Sequence, residues 1–281
     1  MTDVSTEARL IITPDGPSVA QAAAKHVVGT LRQALASRPV AHVALTGGST
    51  AGALYRLLAE PPARDELDWD RVQFWWGDDR AVPEDDPDSN AGLAMATLFH
   101  MGGYEDLERG LRIPSEHVHP IPLSRALVEA PDQRAAADLA AERYAGELRA
   151  DLPKATGAGW PIFDLVLLGI GPDGHILSCF PGSPALRDDA PLALGIDAPT
   201  HVEPHLPRVT LNPRIVPAAR AVTVMAHGEA KADVLAHVIL DPVDVERFPA
   251  QYARIPTAAW FLDEGCASEL PPDFGQRSPG A

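Results

Sequence analysis

The chain has 281 residues, of which 46% are hydrophobic, so it can bury the core of one large α/β domain or of two small ones. Its formal net charge of −16 repels polyanions, which argues against nucleic acid as a partner. No apolar stretch approaches the ~20 residues of a membrane-spanning helix, and the amino terminus lacks the layout of a signal peptide, so we expect a cytoplasmic protein without membrane association.

The first half of the chain alternates β-branched apolar runs with amphipathic stretches, the pattern of βα units in a mainly parallel sheet. A first helix is expected to begin at a Ser18 cap, with apolar residues at every fourth position from Val19. The strand "AHVAL" then enters a glycine turn and a second helix. A further strand, "RVQFWW", precedes a helix for which Ser89 is the predicted cap.

The second half continues this alternation. A long alanine-rich helix has Pro131 in its predicted first turn, and the strand "FDLVLLG" follows it. A loop-rich segment from residue 169 to about 207 leads to the strand "AVTVMAH", a helix through "EAKADVLAHVI" and a last strand near "AAWFL". No internal repeat or linker divides the chain, so we predict one domain over residues 1–266 and a disordered tail over 267–281.

Cysteine usage predicts neither a disulfide framework nor a metal centre. Cys179 and Cys266 form no C-x-x-C motif and no Cys/His grouping. Both are interpreted as small buried residues or as incidental surface residues rather than as catalytic thiols.

The first strand end that could carry chemistry is "ALTGGSTAGALY". A strand runs through Gly47, Gly48, Ser49 and Thr50 directly into a helix, where free backbone N–H groups at the positive helix end can bind an anion. The stretch matches neither G-x-G-x-x-G nor G-x-x-x-x-G-K-[ST], so it does not support dinucleotide or ATP binding. The alternative is a tight turn with a Ser or Thr cap.

The second such strand end is "WWGDDRAVPEDDPDSN". Asp78 and Arg80 follow a very apolar strand, at the carboxyl edge where open α/β sheets bind ligands. A guanidinium there can bind a phosphate, and a carboxylate can order hydroxyl groups. The acidic residues from Glu84 to Asp88 are interpreted as a solvated loop with helix caps.

The third strand end is "LLGIGPDGHILSCF". Gly171 and Gly174 allow a close backbone approach and a positive φ, so Asp173 and His175 can project at the same edge. Histidine can take a proton from water near neutral pH, and a neighbouring aspartate can orient its ring. The alternative is a hydrogen-bonded histidine in a structural turn.

Two cations later in the chain, Arg208 in "LPRVTLN" and Lys231 in "AHGEAKADVL", could reach the same pocket, although either could be an ordinary surface cation. A nucleophilic serine triad is poorly supported, because Ser49 and Ser178 lack the G-x-S-x-G elbow.

Taken together, these segments resemble the 6-phosphogluconolactonase family, part of a wider sugar-phosphate isomerase and deaminase superfamily. The segments that carry the resemblance occur in the family's order over roughly residues 10–265: "LTGGST", "FWWGDDRAVPEDDPDSN", "FDLVLLGIGPDGHILSCFPGS", "PRVTLN", "GEAKADVL" and "ARIPTAAWFLDEGCA". The resemblance implies a Rossmann-like α/β fold with helices on both faces of a mainly parallel sheet. It also implies hydrolysis of 6-phospho-D-glucono-1,5-lactone to 6-phosphogluconate in the oxidative pentose phosphate pathway, without a metal or organic cofactor.

Residue roles follow from the same resemblance. His175 matches the family's general base, and Asp173 matches the aspartate of the same motif. The turn at residues 47–50, with Arg208 and Lys231, matches the family's phosphate-binding positions. Asp78 and Arg80 match the positions that shape the sugar site. Gly171 and Gly174 belong to the motif around the base. The implied partner is a small phosphorylated sugar lactone, bound by a monomer or a small homo-oligomer.

The chain departs from the family pattern at three places. Asp79 stands where the family often has glutamate, and Ile176 replaces a hydroxyl residue next to the histidine. Glu203 falls near the expected place of a proline-flanked lysine. Two alternatives therefore stay open: a glucosamine-6-phosphate deaminase or isomerase, and a catalytically altered sugar-phosphate-binding protein.

Overall fold

The structure is a computed structural model that describes residues 8–99, 110–154, 159–197 and 200–277. Within these residues, the strands are β1 (Arg9–Thr13), β2 (Ala41–Leu45), β3 (Val72–Trp76), β4 (Asp78–Arg80), β5 (Val118–His119), β6 (Leu165–Gly169), β7 (Ala193–Ile196), β8 (Arg208–Leu211), β9 (Val222–Ala226), β10 (Ala258–Asp263) and β11 (Gln276–Arg277). The α-helices are α1 (Gly16–Ser37), α2 (Ser49–Ala59), α3 (Asn90–Ala94), α4 (Leu123–Glu129), α5 (Gln133–Asp151), α6 (Ile215–Ala218) and α7 (Ala232–Leu240).

Eight of these strands form a parallel sheet in the order β11-β1-β10-β9-β6-β2-β3-β5. Strands β4, β8 and β7 form a small antiparallel sheet. The main sheet is flanked by helices, and one large apolar cluster contains side chains from both halves of the chain. The prediction of a single, mainly parallel α/β domain is confirmed.

The strand order places a topological switch point between β2 and β6. From β2 the chain builds outward through β3 to β5, and from β6 it builds in the opposite direction through β9 and β10. Ligands of open α/β sheets bind outside the carboxyl ends of the strands at such a point, because the connections there diverge and leave a crevice. The strand ends after β2 and β6 both carry glycine-rich stretches that the sequence singled out.

The central strands are apolar on both faces, as expected where helices cover a parallel sheet. Val72, Phe74, Trp75 and Trp76 of β3 are all buried. The Tyr144 hydroxyl accepts a hydrogen bond from Trp76 N at 2.7 Å and donates to Trp76 O at 3.0 Å. A buried side chain therefore satisfies the backbone where this strand leaves the sheet ladder.

Two predicted helix starts are wrong. The cap of α1 is Asp15, whose carboxylate accepts a hydrogen bond from Ser18 N at 2.9 Å, and Ser18 itself lies inside the helix. The helix starts earlier because proline is tolerated in a first turn, so Pro17 does not interrupt it. In α5 the cap is Asp132, which leaves Pro131 before the helix, whereas Ser89 caps α3 as predicted.

Two further differences concern strands and the carboxyl-terminal tail. The segment from residue 169 to 207 contains β7, a short strand whose formation depends on pairing with β8 and has little local signal. Beyond Cys266 the prediction of a disordered tail is wrong for residues 267–277. Ala267 and Leu270 are buried in the core, and β11 pairs with β1. Residues 278–281 lie outside the described residues.

Neither cysteine takes part in a disulfide bond. Cys179 and Cys266 are buried free thiols, and burial raises the pKa of each to about 12. In the part of the chain that the structure describes, no helix combines the length and the apolar character needed to cross a bilayer.

Candidate active site

A cleft opens at the switch point, where the ends of β2, β3, β6 and β9 meet. Its volume is about 260 Å³, just below the range of drug-sized ligand pockets, which suits a small ligand. The predicted site residues that line it are Gly47, Gly48, Ser49, Thr50, Asp78, Arg80, Gly171, His175, Arg208 and Lys231. Asp173 and Gly174 do not line this cleft: Asp173 lies behind His175, and Gly174 shapes the turn.

One end of the cleft is the turn between β2 and α2. Gly48 is the N-cap of α2, has a φ of 92°, and provides no capping side chain. Behind this turn, Tyr55 fixes Thr46: its hydroxyl accepts from Thr46 N at 3.0 Å and donates to Thr46 O at 2.6 Å. Because no side chain caps α2, the interpretation of Ser49 or Thr50 as its cap is wrong. The first-turn N–H groups of an uncapped helix end can bind an anion.

Lys231 adds a positive charge to the cleft. It lies on a short 3-10 turn after β9, and both carboxylate oxygens of Asp263 accept from Gly228 N at 3.0 Å, which anchors that turn. The Lys231 ammonium donates to Ile170 O at 2.8 Å. Burial lowers the pKa of Lys231, whereas Cys266 and Asp263 act in the opposite direction. This cation therefore joins the ends of β9 and β6.

Arg80 and Arg208 are paired residues of the antiparallel strands β4 and β8. Arg80 donates from Nη1 to Asp88 O at 2.6 Å, and Arg208 donates from Nη2 to Pro204 O at 3.0 Å. The Nε of each guanidinium is buried without a hydrogen-bond partner among the described residues. A buried cation with an unused donor favours an anionic ligand.

Burial also affects the electrostatics of Arg208. Its side chain is almost completely buried, with Cζ 5.5 Å from the centroid of the Phe180 ring. Burial lowers the pKa of Arg208, and Asp78 opposes this effect. An anion bound beside the guanidinium would therefore relieve part of the cost of burying its charge.

Asp78 is held by two side chains that the sequence did not connect with it. Its Oδ2 accepts from Ser178 Oγ at 2.5 Å, and its Oδ1 accepts from Asn90 Nδ2 at 3.4 Å. Asn90 also lines the cleft, and its buried Oδ1 has no hydrogen-bond partner among the described residues. The sequence places Asn90 directly after the predicted Ser89 cap, at the start of a helix, and gives no sign that its side chain reaches Asp78.

His175 and Asp173 form a polar pair at the turn after β6. Asp173 Oδ1 lies 2.5 Å from His175 Nδ1 and accepts from His175 N at 3.2 Å. The His175 ring packs against Phe180, with centroids 4.5 Å apart. Gly171 is required here, because a Cβ at this position would lie 2.0 Å from the His175 ring. Gly174 has a φ of 82°, which favours glycine.

The charge state of Asp173 decides which nitrogen of His175 carries a proton. Burial alone would raise the pKa of Asp173, but hydrogen bonds from His175 and His201 and the charge of the His175 ring lower it well below its usual range. An ionised carboxylate only accepts hydrogen bonds. In the neutral ring Nδ1 therefore carries the proton, and Nε2 keeps a lone pair.

His201 is a site residue that sequence reasoning missed. Its Nε2 lies 2.9 Å from Asp173 Oδ2, so Asp173 binds two histidines that are 26 residues apart in sequence. No local pattern in the sequence predicts this contact, because it depends on how the segment before β8 folds back. Within the described ranges, no group of three or more His, Cys, Asp or Glu side chains is arranged to hold a metal ion.

Comparisons with known proteins agree with this architecture. Residues 14–261 match the family model described as "Glucosamine-6-phosphate isomerases/6-phosphogluconolactonase". The chain is 34% identical to a 6-phosphogluconolactonase of Streptomyces coelicolor, with 95% of this chain and 97% of that protein covered. It is 34% identical to a 6-phosphogluconolactonase of Mycobacterium tuberculosis, with 92% of this chain and 97% of that protein covered.

A solved structure of similar fold is that of 6-phosphogluconolactonase from Trypanosoma brucei. It has a TM-score of 0.80 and 29% sequence identity, with 94% of this chain and 99% of that chain covered. The chain therefore belongs to the family of glucosamine-6-phosphate isomerases and 6-phosphogluconolactonases.

Proposed function

We propose that this protein hydrolyses 6-phospho-D-glucono-1,5-lactone to 6-phosphogluconate. The observation that carries the proposal is that one cleft brings two features together. They are a histidine whose Nδ1 is held by an ionised aspartate, and uncapped helix N–H groups with a lysine. The names of the curated relatives supply the substrate class.

In the proposed reaction, the oxygen of a water molecule attacks the lactone carbonyl while His175 Nε2 takes a proton from that water. The tetrahedral intermediate then collapses and the bond between the carbonyl carbon and the ring oxygen breaks. The departing ring oxygen takes the proton back from His175 and becomes a hydroxyl group. The products are a carboxylic acid and an alcohol in one molecule, so lactone and water balance. Asp173 stabilises the transient imidazolium and holds its orientation.

The phosphate is proposed to bind at the turn between β2 and α2. The backbone N–H groups of Gly47, Gly48, Ser49 and Thr50, the Lys231 ammonium and the Arg208 guanidinium would contact its oxygens. Asp78 and Arg80 are proposed to contact the sugar hydroxyls. Binding energy from the phosphate would hold the carbonyl near His175, which lowers the entropic part of the barrier.

Within this family, a deaminase or isomerase reaction is the other candidate. That activity is expected to need an acidic residue shortly after the histidine. In this chain Phe180 stands in that region and packs against both His175 and Arg208. Residues 176–180 contain no acidic side chain, so lactone hydrolysis is the better-supported proposal. Cytoplasmic location and a monomeric or small homo-oligomeric state stay predictions from the sequence.

The test is a coupled assay with freshly generated lactone, corrected for spontaneous ring opening. We expect the wild type to accelerate hydrolysis and His175→Ala to lose about 10²–10⁴-fold in kcat. His26→Gln, a histidine change on α1 outside the cleft, is the control and is expected to keep wild-type activity.

Three results would contradict the proposal. Wild-type activity in His175→Ala would exclude His175 as the base. Ammonia release from glucosamine 6-phosphate without lactone hydrolysis would support the deaminase, and binding of 6-phosphogluconate without turnover would support a binding protein.

A further inference from the structure

Residues 200–207, called here the rim segment, lie at the edge of the cleft. Val202 and Glu203 of this segment line the cleft. The carboxyl-terminal end of the rim segment is fixed, because Arg208 at the start of β8 donates to Pro204 O at 3.0 Å. The position of the rim segment over the cleft therefore depends on what holds its other end.

His201 supplies a contact at that other end. The distance between its Nε2 and Asp173 Oδ2 is 2.9 Å, while Asp173 Oδ1 is engaged by His175. Because the Asp173 carboxylate is ionised, His175 Nδ1 and His201 Nε2 each donate a hydrogen bond to it. Each oxygen of Asp173 thus serves one histidine, and the two hydrogen bonds restrict rotation of the carboxylate.

We propose that His201 is a positioning residue, whose hydrogen bond to Asp173 fastens the rim segment over the cleft and holds Asp173 in the orientation that aligns His175. The inference rests on the proposed hydrolysis, because alignment of His175 matters only if this ring moves the proton. His201 itself is not proposed to touch substrate.

The exposure of the His201 side chain distinguishes a positioning role from a general contribution to the stability of the protein. The His201 side chain is 56% exposed, and that of Asp173 is 14% exposed. Exposed charged contacts contribute little to the free energy of unfolding, so loss of His201 is expected to leave thermal stability nearly unchanged. Catalysis is more sensitive, because small errors in the orientation of a reacting group cost rate.

The kinetic test compares His201→Ala with His201→Gln. Alanine removes the donor and should lower kcat about fivefold to tenfold with little change in KM, because the hydrogen bond to a charged group is lost but the phosphate contacts remain. Glutamine can place an N–H donor near the original Nε2 and should restore kcat to within about twofold of wild type.

The matched control is His205→Ala, on the same rim segment. His205 contacts Glu203, with 3.0 Å between Nε2 and Oε1, and we expect kcat within about twofold of wild type. Equal impairment of His201→Ala and His201→Gln would overturn the inference, as would a wild-type kcat in His201→Ala.

Hydrogen exchange of the rim-segment amides tests the tether without using activity. His201→Ala and Asp173→Ala should each speed exchange of these amides, and the double variant should exchange no faster than either single variant. Unchanged exchange in His201→Ala would overturn the inference even in an active lactonase. Failure of the wild type to hydrolyse the lactone would instead overturn the proposed function, while the exchange result still decides the tether.

Discussion

The two glycine-rich strand ends at the cleft, after β2 and after β6, work in opposite ways. After β2, the Gly48 turn has no capping side chain, so its backbone donors stay open to a ligand. After β6, Asp173 is engaged on both oxygens by His175 and His201. At the first strand end a ligand can accept the free backbone hydrogen bonds, and at the second the carboxylate oxygens are already bonded to protein side chains. Similar local sequences can therefore form a binding surface in one place and hold a reactive side chain in another.

Steric contacts support the same distinction. A Cβ at Gly47 would lie 1.8 Å from Asn90 Oδ1, so glycine there lets a polar side chain approach the backbone at the anion-binding end. A Cβ at Gly171 would lie 2.0 Å from the His175 ring, so glycine there makes room for the reactive side chain itself. Changes at the two ends should therefore alter different kinetic constants.

The largest effect should come from Gly171→Ala. The added methyl group must displace the His175 ring, and a misplacement of about 1 Å can cost about 10²-fold in rate. We expect kcat for the lactone to fall by about that factor while KM changes little. Steady-state kinetics measures both constants.

The control for this change is Gly146→Ala on α5, where an added Cβ meets nothing within 4 Å. It should keep both constants. A Gly171→Ala protein with a normal kcat and a raised KM would show that the end after β6 serves binding instead.

An intermediate effect is expected from Lys231→Met. The change keeps the length of the side chain but removes the charge that would contact phosphate, so KM should rise about tenfold or more while kcat falls less. Inorganic phosphate should also inhibit this variant less strongly than the wild type.

Lys25→Met, an exposed substitution on α1, is the matched control and should behave as the wild type. A fall in kcat of Lys231→Met without any change in KM would contradict the assignment of Lys231 to phosphate binding.

The smallest effect concerns stability in acid. The pKa of Asp173 is lowered by its histidine partners, against the opposing effect of burial, so the folded protein holds this carboxylate ionised below the ordinary pKa of 3.8. Such a group contributes stability above pH 3.8 and loses that contribution as the pH falls below it. The free energy of unfolding should therefore fall more steeply below pH 4 in the wild type than in Asp173→Asn, by about 1 kcal/mol.

Urea unfolding between pH 5 and pH 3 would measure this slope. Lys231→Met should keep the wild-type slope, because a lysine is protonated throughout this range. Parallel curves for wild type and Asp173→Asn would show that the end after β6 is not internally paired in solution.

Much of this architecture could be predicted from local sequence. The alternating apolar runs determine β2, β3, β6, β9 and β10, because continuous burial of a parallel strand needs apolar side chains on both faces. The glycine-rich stretches after β2 and β6 could also be predicted, because glycine is needed where the backbone bends or approaches another group. Chain order alone did not show that β2 and β6 are neighbours.

The first residue of a helix could not be predicted from local sequence alone. Ser18 and Asp15 are both good capping residues, and which one starts α1 depends on the direction in which the chain leaves β1. The strand β7 and the ordered residues 267–277 exist because neighbouring elements pair with them or bury them.

Local sequence is enough to predict the α/β class, the glycine-rich strand ends and the residue types at each of them. The contacts of Asn90 and Ser178 with Asp78, the pairing of Arg80 with Arg208 and the bond between His201 and Asp173 depend on the complete fold. These two groups of features differ in the sequence distance over which they act. Propensity and periodicity act over a few neighbouring residues, whereas these contacts join segments that only the folded sheet and its connections bring within hydrogen-bonding distance.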